Sequence, residues 1–237
     1  MGLNKPVGFM VSSADTPSTN YLLTDLVSYH PAATNGSYPD EEGSNTGTIY
    51  GAVYSSSGKI TGCHVYNGND RVEISGTNYQ TTGSWSVSLW MRLDGSNSSN
   101  IRMWSIGGRG DDTSLLRRST NKIRFGIPGL SPSVVDCSTT LISSATWHHV
   151  VAIYNSSANT LTVYLNGSVD GSVGVSGTRT QSGYALIHGA AKYADTTLEE
   201  YFNGGLCEIG YWNKALASTD VSNLYNSGDG LSFSSFD

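Results

Sequence analysis

The segment from Trp147 to Gly167 constrains the fold of this chain more than any other. Residues 147–154 and 161–165 both alternate side chains at a period of two, which is the pattern of a β-strand. A short polar loop at 155–159 joins them, and an Asn-Gly pair follows that supplies the positive φ angles of a tight turn. The side chains predicted to share one face are Val150, Ala152 and Tyr154 in the first strand and Leu161, Val163 and Leu165 in the second. This segment is therefore predicted to be a β-hairpin.

The same alternation recurs along the chain. Residues 84–93 place Trp85, Val87, Leu89, Met91 and Leu93 on one face, and about a dozen such strands are separated by Gly, Asn and Ser turns. One helix is predicted at 218–225, where Ser218 can cap the N-terminus before an i, i+3, i+4 apolar stripe. The pattern predicts an all-β sandwich or barrel with one short C-terminal helix.

Composition narrows the class of protein. Charged residues make up only 14% of the 237 residues, against about 25% in an average domain, and the net charge is -6. An acidic chain lacks the basic footprint of a nucleic-acid-binding protein. The spacing of the three cysteines encodes neither a disulfide framework nor a zinc site, and we predict that all three are small buried side chains on strands; the alternative is a single disulfide bridge. We predict no membrane insertion, because no apolar run approaches the roughly 18 residues of a membrane span.

Three segments are predicted along the chain. Residues 1–22 are predicted to be an arm or linker, in which Val7–Val11 is the one apolar run that could dock to a partner. Residues 23–227 are predicted to form a single domain, and residues 228–237 a C-terminal tail. No signal-peptide pattern follows Met1.

Several motifs in order resemble one family. Trp147-His-His-Val-Val followed by Leu161-Thr-Val-Tyr-Leu-Asn-Gly resembles the core hairpin of laminin-G-like, concanavalin A-like jelly rolls. Residues 25–31, 48–74 and 202–216 resemble the opening strand, the second to fourth elements, and the closing strand of the same family. The resemblance implies a two-sheet antiparallel jelly-roll sandwich. Because adhesins, lectins, carbohydrate-binding modules and some glycosidases share that fold, it narrows the architecture more than the function.

The family resemblance also implies a calcium site. The loop at 40–45 gathers oxygen donors beside a glycine, as a hard cation requires. Carried over by position, the family's acidic loop and closing strand imply Ca²⁺ ligands at Asp40, Asn45 and Glu208. The sequence departs from the family at Cys207, where an aspartate is usual. The alternative is a solvated acidic turn.

Aromatic side chains are candidates for stacking on sugar rings, because a ring can bury the apolar face of a sugar. The candidates are Trp90, Trp104, Tyr193, Tyr201 and Trp212. For each of them the alternative is an ordinary place in the core of the sandwich.

Catalytic patterns are not found. The glutamates at 73, 199, 200 and 208 do not show the strand spacing of a glycosidase carboxylate pair, and no Gly-x-Ser-x-Gly elbow occurs. His148 and His149 are neighbours on a strand and face opposite ways, so they cannot chelate one ion. We therefore predict a non-enzymatic protein.

The sequence favours a surface-display or adhesion module, and the setting predicted for it is a bacteriophage virion as a capsid decoration, head fibre or tail fibre. Its partners would be capsid or tail proteins through residues 1–22 and glycans of the host surface, and it could form homo-oligomers. The alternatives are a secreted carbohydrate-binding module, extracellular after removal of a leader, and a glycoside hydrolase or lyase of the same fold.

Overall fold

The computed structural model describes residues 19–33, 36–74, 76, 79, 83–95, 99–107, 113–141, 145–180, 185–192 and 197–236. Residues 1–18 of the predicted arm, with its apolar run, lie outside these ranges. Within them the strands are β1 (Leu26–His30), β2 (Gly47–Tyr50), β3 (Val53–Ser55), β4 (Cys63–Asn67), β5 (Arg71–Ile74), β6 (Trp85–Leu93), β7 (Ile101–Ile106), β8 (Thr113–Arg117), β9 (Ile123–Gly126), β10 (Leu130–Ser131), β11 (Val134–Asp136), β12 (Trp147–Asn155), β13 (Thr160–Leu165), β14 (Ser168–Gly174), β15 (Ser176–Gly177), β16 (Leu186–His188), β17 (Ala191–Lys192), β18 (Leu198–Glu199) and β19 (Asn203–Trp212). The helices are α1 (Ser218–Tyr225) and short 3₁₀ turns at Thr19–Leu22, Asn226–Gly228 and Phe233–Ser235.

The strands form two large antiparallel sheets. The first has the order β14-β13-β12-β6-β19-β4-β3, with β1 also paired to β19, and the second has the order β11-β9-β8-β7-β16-β5-β2. Two small ribbons, β10-β15 and β17-β18, accompany them. Strand β19 pairs with β6 along one edge, and with β4 and then β1 along the other. The predicted all-β sandwich with one short helix near the C-terminus is confirmed.

The main core lies between the two sheets. Strands β12 and β13 contribute the side chains predicted to share a face, and β6 contributes Trp85, Val87, Leu89, Met91 and Leu93. These side chains are at most 8% exposed. The period-two alternation therefore predicted the inward faces of β6, β12 and β13 correctly.

A second apolar cluster covers the outer face of the first sheet. Val151 and Ile153, which point away from the main core, pack there beneath Val221 and Leu224 of α1. Leu22 and Phe236 are also fully buried in this cluster. The outer face of the first sheet is therefore not available to solvent where α1 lies on it.

The cysteines are free and buried, as predicted. Cys137 lies in the main core, whereas Cys63 and Cys207 lie beside Trp90 on the outer face of the first sheet. No helix among the described residues is long and apolar enough to cross a membrane.

Candidate functional site

A polar groove lies on the outer face of the second sheet, where β7, β8 and β9 form its floor. Because Leu115 and Phe125 point into the core, the side chains next to them on β8 and β9 point outward. The groove contains a cavity of about 270 Å³, bounded by the segment 127–134 on one side. Its lining is mainly polar and comprises Asn100, Arg102, Ser114, Leu116, Arg124, Gly126, Ile127, Pro128, Ser133, Val134 and Glu200.

A second cavity of about 590 Å³ continues the groove. It shares Asn100 and Glu200 with the first cavity, and its remaining lining comprises Ser99, Ser119, Leu198, Glu199 and Tyr201. Small-molecule pockets usually measure about 300–1,000 Å³. The first cavity is near the lower end of that range, and the second extends it along the sheet.

Two ion pairs fix the charged side chains of the groove. The Arg102 Nε donates to Glu200 Oε2 at 2.5 Å, and both side chains are largely buried. Arg124 donates to both carboxylate oxygens of Asp136, at 2.6 and 2.8 Å. The hydrogen bonds from Arg124 lower the pKa of the Asp136 carboxyl, which therefore stays ionised at neutral pH. Arg124 is thus held in a two-donor, fork-like geometry, whereas Arg102 contacts the Glu200 carboxylate through Nε.

Glu200 is held in an uncommon backbone conformation. Its φ angle is 53°, in the left-handed region. The backbone N–H of Arg102 donates to its carbonyl oxygen at 2.8 Å, so Arg102 binds Glu200 through both main chain and side chain. Asn100 adds a longer hydrogen bond of 3.4 Å to Glu200 Oε1 and accepts one from the Ser119 N–H. Such strain persists only where surrounding contacts fix it, and it is concentrated at functional sites.

The structure corrects three of the five aromatic predictions. Trp90, Trp104 and Trp212 are at most 3% exposed and offer no ring face to a sugar. Tyr193 lies outside the described residues. Tyr201 is half-buried and lines the second cavity, so it is the one candidate that the structure brings to the groove.

Each buried tryptophan has a definite structural reason. Trp104 packs in the main core with Trp85 and Tyr211, and the three rings contact one another. Trp90 does point away from that core, but Tyr225 of α1 stacks on it and Lys59 lies 5.0 Å from its ring centroid. Trp212 lies in the second apolar cluster, where it donates a hydrogen bond of 2.6 Å to the Leu22 carbonyl.

Sequence reasoning did not identify Asn100, Arg102, Arg124 or Glu200 as groove residues. One signal was available, because Ile123 and Phe125 alternate as core side chains and leave Arg124 on the outer face. No short-range signal connects Arg102 with Glu200, which is 98 residues away.

Of the three proposed calcium ligands, Asp40 and Asn45 lie together, whereas Glu208 is directed elsewhere. Asp40 Oδ1 accepts the N–H of Tyr29 and of Glu42, and Oδ2 accepts the backbone and side-chain N–H groups of Asn45. Glu208 instead accepts the Tyr29 phenol at 2.6 Å, so the two carboxylates contact opposite ends of Tyr29. Among the described residues, no group of three or more His, Cys, Asp or Glu could hold a metal ion. Calcium at this loop stays a prediction.

Asp40 fixes the 40–45 loop whether or not an ion binds there. Asp40→Ala removes the acceptor of four hydrogen bonds, and we expect it to lower the free energy of unfolding by about 1–3 kcal/mol. Urea unfolding of the wild type and Asp40→Ala, with and without EDTA, measures this difference in the free energy of unfolding. The difference should persist in EDTA. A fall in the wild-type melting temperature on chelation, absent from Asp40→Ala, would be the evidence for calcium. Asp40→Ala with unchanged stability in EDTA would contradict the structural role.

The comparisons with known proteins concern family and fold. A family model described as the concanavalin A-like lectin/glucanases superfamily matches residues 66–222, more than half of the chain. A search of curated protein sequences found no significant match. Among solved structures, the chain is similar to domain 4 of AbnA, a GH43 extracellular arabinanase from Geobacillus stearothermophilus, in complex with arabinotriose. That match has a TM-score of 0.66 and 19% identity, and covers 84% of this chain and 97% of the domain.

Two further structures show the same likeness. The binding domain of Paraclostridial Mosquitocidal Protein 1 has a TM-score of 0.63 and 17% identity, over 86% of this chain and 52% of that one. Trypanosoma rangeli sialidase with difluorosialic acid has a TM-score of 0.62 and 14% identity, over 88% of this chain and 34% of the sialidase. The chain thus spans about half of the first protein and a third of the second, and at these identities the likeness shows the fold. With the family model and the two-sheet sandwich in agreement, the chain belongs to the concanavalin A-like lectin/glucanase superfamily.

Proposed function

We propose that this protein is a non-enzymatic glycan-binding module whose binding site is the groove on the outer face of the second sheet. The observation that carries the proposal is the set of fixed polar side chains at the junction of the two cavities, where Asn100, Arg102 and Glu200 are bonded to one another. Planar amide, guanidinium and carboxylate groups are the donors and acceptors that pair with adjacent sugar hydroxyls.

The neighbouring surfaces are consistent with this use. Ser114 and Ser133 add hydroxyl groups to the first cavity, and Tyr201 supplies a half-buried ring in the second. Such a ring could pack against the apolar face of a sugar. The domain of the arabinanase that is similar over 97% of its length was solved with arabinotriose, which supports an oligosaccharide as the ligand class.

The carboxylates of the groove favour binding over hydrolysis. A glycosidase places two carboxyl groups on either side of the scissile bond, about 5–9.5 Å apart. The described lining of the two cavities contains Glu199 and Glu200, which are adjacent in sequence and share one wall of the groove. Glu200 is also engaged by Arg102 and Asn100. This arrangement supports a module that holds a glycan without cleaving it.

The test is a glycan array followed by titration calorimetry with the glycans that bind. Asn100→Ala and Tyr201→Ala are each expected to weaken binding about tenfold or more, because each removes a contact worth roughly 1.4 kcal/mol. Val169→Ser, an exposed position on the edge strand β14 of the other sheet, is the matched control and should bind as the wild type does. Release of reducing sugar from a bound glycan, lost in Glu200→Gln, would contradict the non-enzymatic part of the proposal.

The biological setting is proposed on the sequence alone. Display on a phage virion, docking through residues 1–22 and assembly into homo-oligomers stay predictions, as does a secreted location. Mass spectrometry of purified particles, with this chain present in stoichiometric amounts, would support the virion setting.

A further inference from the structure

We infer that the groove selects a neutral glycan and discriminates against glycans that carry carboxylates, an inference that rests on the proposed function of the same site. The observation behind it is the charge balance of the groove, together with the way in which each arginine is already paired.

Among the residues that the structure describes in the groove, the formal charges cancel. The lining of the two cavities contains two arginines, Arg102 and Arg124, and two glutamates, Glu199 and Glu200. Behind them, Asp136 binds Arg124 and also accepts a hydrogen bond of 3.4 Å from Arg118. Asp136 and Arg118 thus add one negative and one positive charge. The whole chain carries a net charge of -6. The described residues of the groove therefore provide no excess of positive charge to attract an anionic ligand.

The guanidinium groups are not arranged to receive a ligand carboxylate. Arginine recognises a carboxylate best through two parallel N–H donors. On Arg124 the two donors Nε and Nη2 already serve Asp136, and on Arg102 the Nε serves Glu200. A ligand carboxylate could use those donors only by displacing Asp136 or Glu200. Displacement would leave Asp136 or Glu200 with only its longer hydrogen bond of 3.4 Å, and Glu200 has a side chain only 13% exposed.

A neutral sugar avoids this conflict. Hydroxyl groups both donate and accept, so they can bond to the carboxylate and guanidinium edges that the ion pairs leave accessible, and to the Asn100 amide and the Ser133 hydroxyl. Arg102 and Glu200 then stay paired, and so do Arg124 and Asp136. The ion pairs thus act as a fixed frame for recognition of hydroxyls.

The experiment compares two forms of one oligosaccharide, galacturonic acid oligomers with free carboxylates and the same oligomers as methyl esters, together with neutral arabinose and galactose oligomers. Titration calorimetry is done at low and moderate salt. We expect a neutral oligomer to bind, with affinity that changes less than about twofold between the two salt concentrations because no charge is paired on binding. The free galacturonate oligomer is expected to bind at least about tenfold more weakly than its ester.

The variant Asp136→Asn is expected to bind the free galacturonate oligomer more tightly than the wild type does. It frees the Arg124 fork and leaves the groove with one net positive charge, so affinity for the free galacturonate oligomer should rise about fivefold or more at low salt. The readout is the ratio of the affinities for the free oligomer and its methyl ester, which should rise about fivefold or more whatever the variant does to the affinity for neutral glycans. A far-UV circular dichroism spectrum that matches the wild type shows that the variant is folded. Val169→Ser should match the wild type with every ligand.

The outcomes separate the two proposals. Free galacturonate binding as tightly as the ester, with loss in Arg124→Gln, would overturn neutral selection while leaving a glycan-binding groove in place. Weaker binding of the acid with a gain in Asp136→Asn would support the inference. Binding of no oligomer, neutral or acidic, by the array and by calorimetry would overturn the proposed function and this inference with it.

Discussion

The free energy of unfolding is expected to fall steeply as the pH is lowered from about 6.5 to about 4, because all five histidines of the chain have lowered pKa values. Burial is the largest cause for each of them. The pKa of His64 falls to about 4 and that of His149 to about 3. The unfolded chain, in which histidine titrates near 6.5, therefore binds more protons than the folded chain throughout this range.

The sign and size of the effect follow from that difference. Stability from these groups is fully present above pH 6.5 and is lost as the pH falls toward the folded pKa values. One proton of difference changes the free energy by about 1.4 kcal/mol per pH unit, so His64 and His149 would each contribute a loss of about 3 kcal/mol by pH 4. Their sum of about 6 kcal/mol lies within the roughly 5–15 kcal/mol that stabilises a typical domain.

The geometry around Tyr38 explains why protonation is costly. The rings of His30, His64 and His188 lie 5.2, 4.9 and 5.6 Å from the Tyr38 ring, and all three histidines are at most 1% exposed. Tyr38 binds His188 Nδ1 at 2.7 Å, and His30 lies near His188. Asp40 is the nearby anion that raises the pKa of His30, against the larger effect of burial. Protonation of any one of these three histidines would thus place a positive charge in a buried site close to the other two.

Urea unfolding at pH 7.5, 6.0, 5.0 and 4.5 measures the prediction. His64→Gln should make the dependence shallower by about 1.4 kcal/mol per pH unit, since it removes one titrating group. The half-buried His148 provides the control, and His148→Gln should alter the slope less than His64→Gln does. A free energy that varies by less than about 1 kcal/mol over this range would show that the histidines titrate alike in both states.

Trp104→Ala is expected to lower the free energy of unfolding by about 3–5 kcal/mol, with no separate effect on a ligand. Trp104 is completely buried, and its ring stacks 5.6 Å from Trp85 and 6.1 Å from Tyr211. Truncation to alanine removes these contacts and leaves a cavity that the two sheets cannot close. Chemical denaturation measures the loss.

Two variants control for this result. Trp104→Phe keeps an aromatic ring and should lose less stability than Trp104→Ala. Tyr50→Ala removes an aromatic side chain that is 41% exposed on the edge strand β2, and its cost should be well below that of Trp104→Ala. A Trp104→Ala protein as stable as the wild type would contradict the assignment of Trp104 to the core.

Local pattern predicted the faces of regular strands and failed where the backbone departs from regularity. In β7 a bulge between Arg102 and Trp104 shifts the alternation, so that Met103 and Trp104 both reach the main core. In β19 the register shifts between Cys207 and Gly210, and Glu208 lies there at a φ angle of 53°. The carboxylate is thereby directed to Tyr29 rather than to the Asp40 loop.

Other failures have a tertiary origin. Trp90 faces away from the main core, as the alternation of β6 predicts, but α1 covers it from a position more than 120 residues later in the chain. The groove likewise forms where Arg102 of β7 contacts Glu200, and no sequence pattern links these two residues. The period-two alternation of the strands and the family motifs are sufficient to predict the architecture. A site built from residues 98 positions apart is formed only by folding.

The position of β19 has a consequence for how the chain is made. Its ladder with β6 and its other ladders with β4 and β1 place a strand near the end of the chain in the interior of the first sheet. Until residues 203–212 have left the ribosome, β1 has no partner in the first sheet, β4 can pair only with β3, and β6 can pair only with β12. Pairings across such separations fold slowly and expose strand edges meanwhile. The first sheet therefore cannot close until β19 has been synthesised, and a chain interrupted before β19 would present the unpaired edges of β1, β4 and β6 to its neighbours.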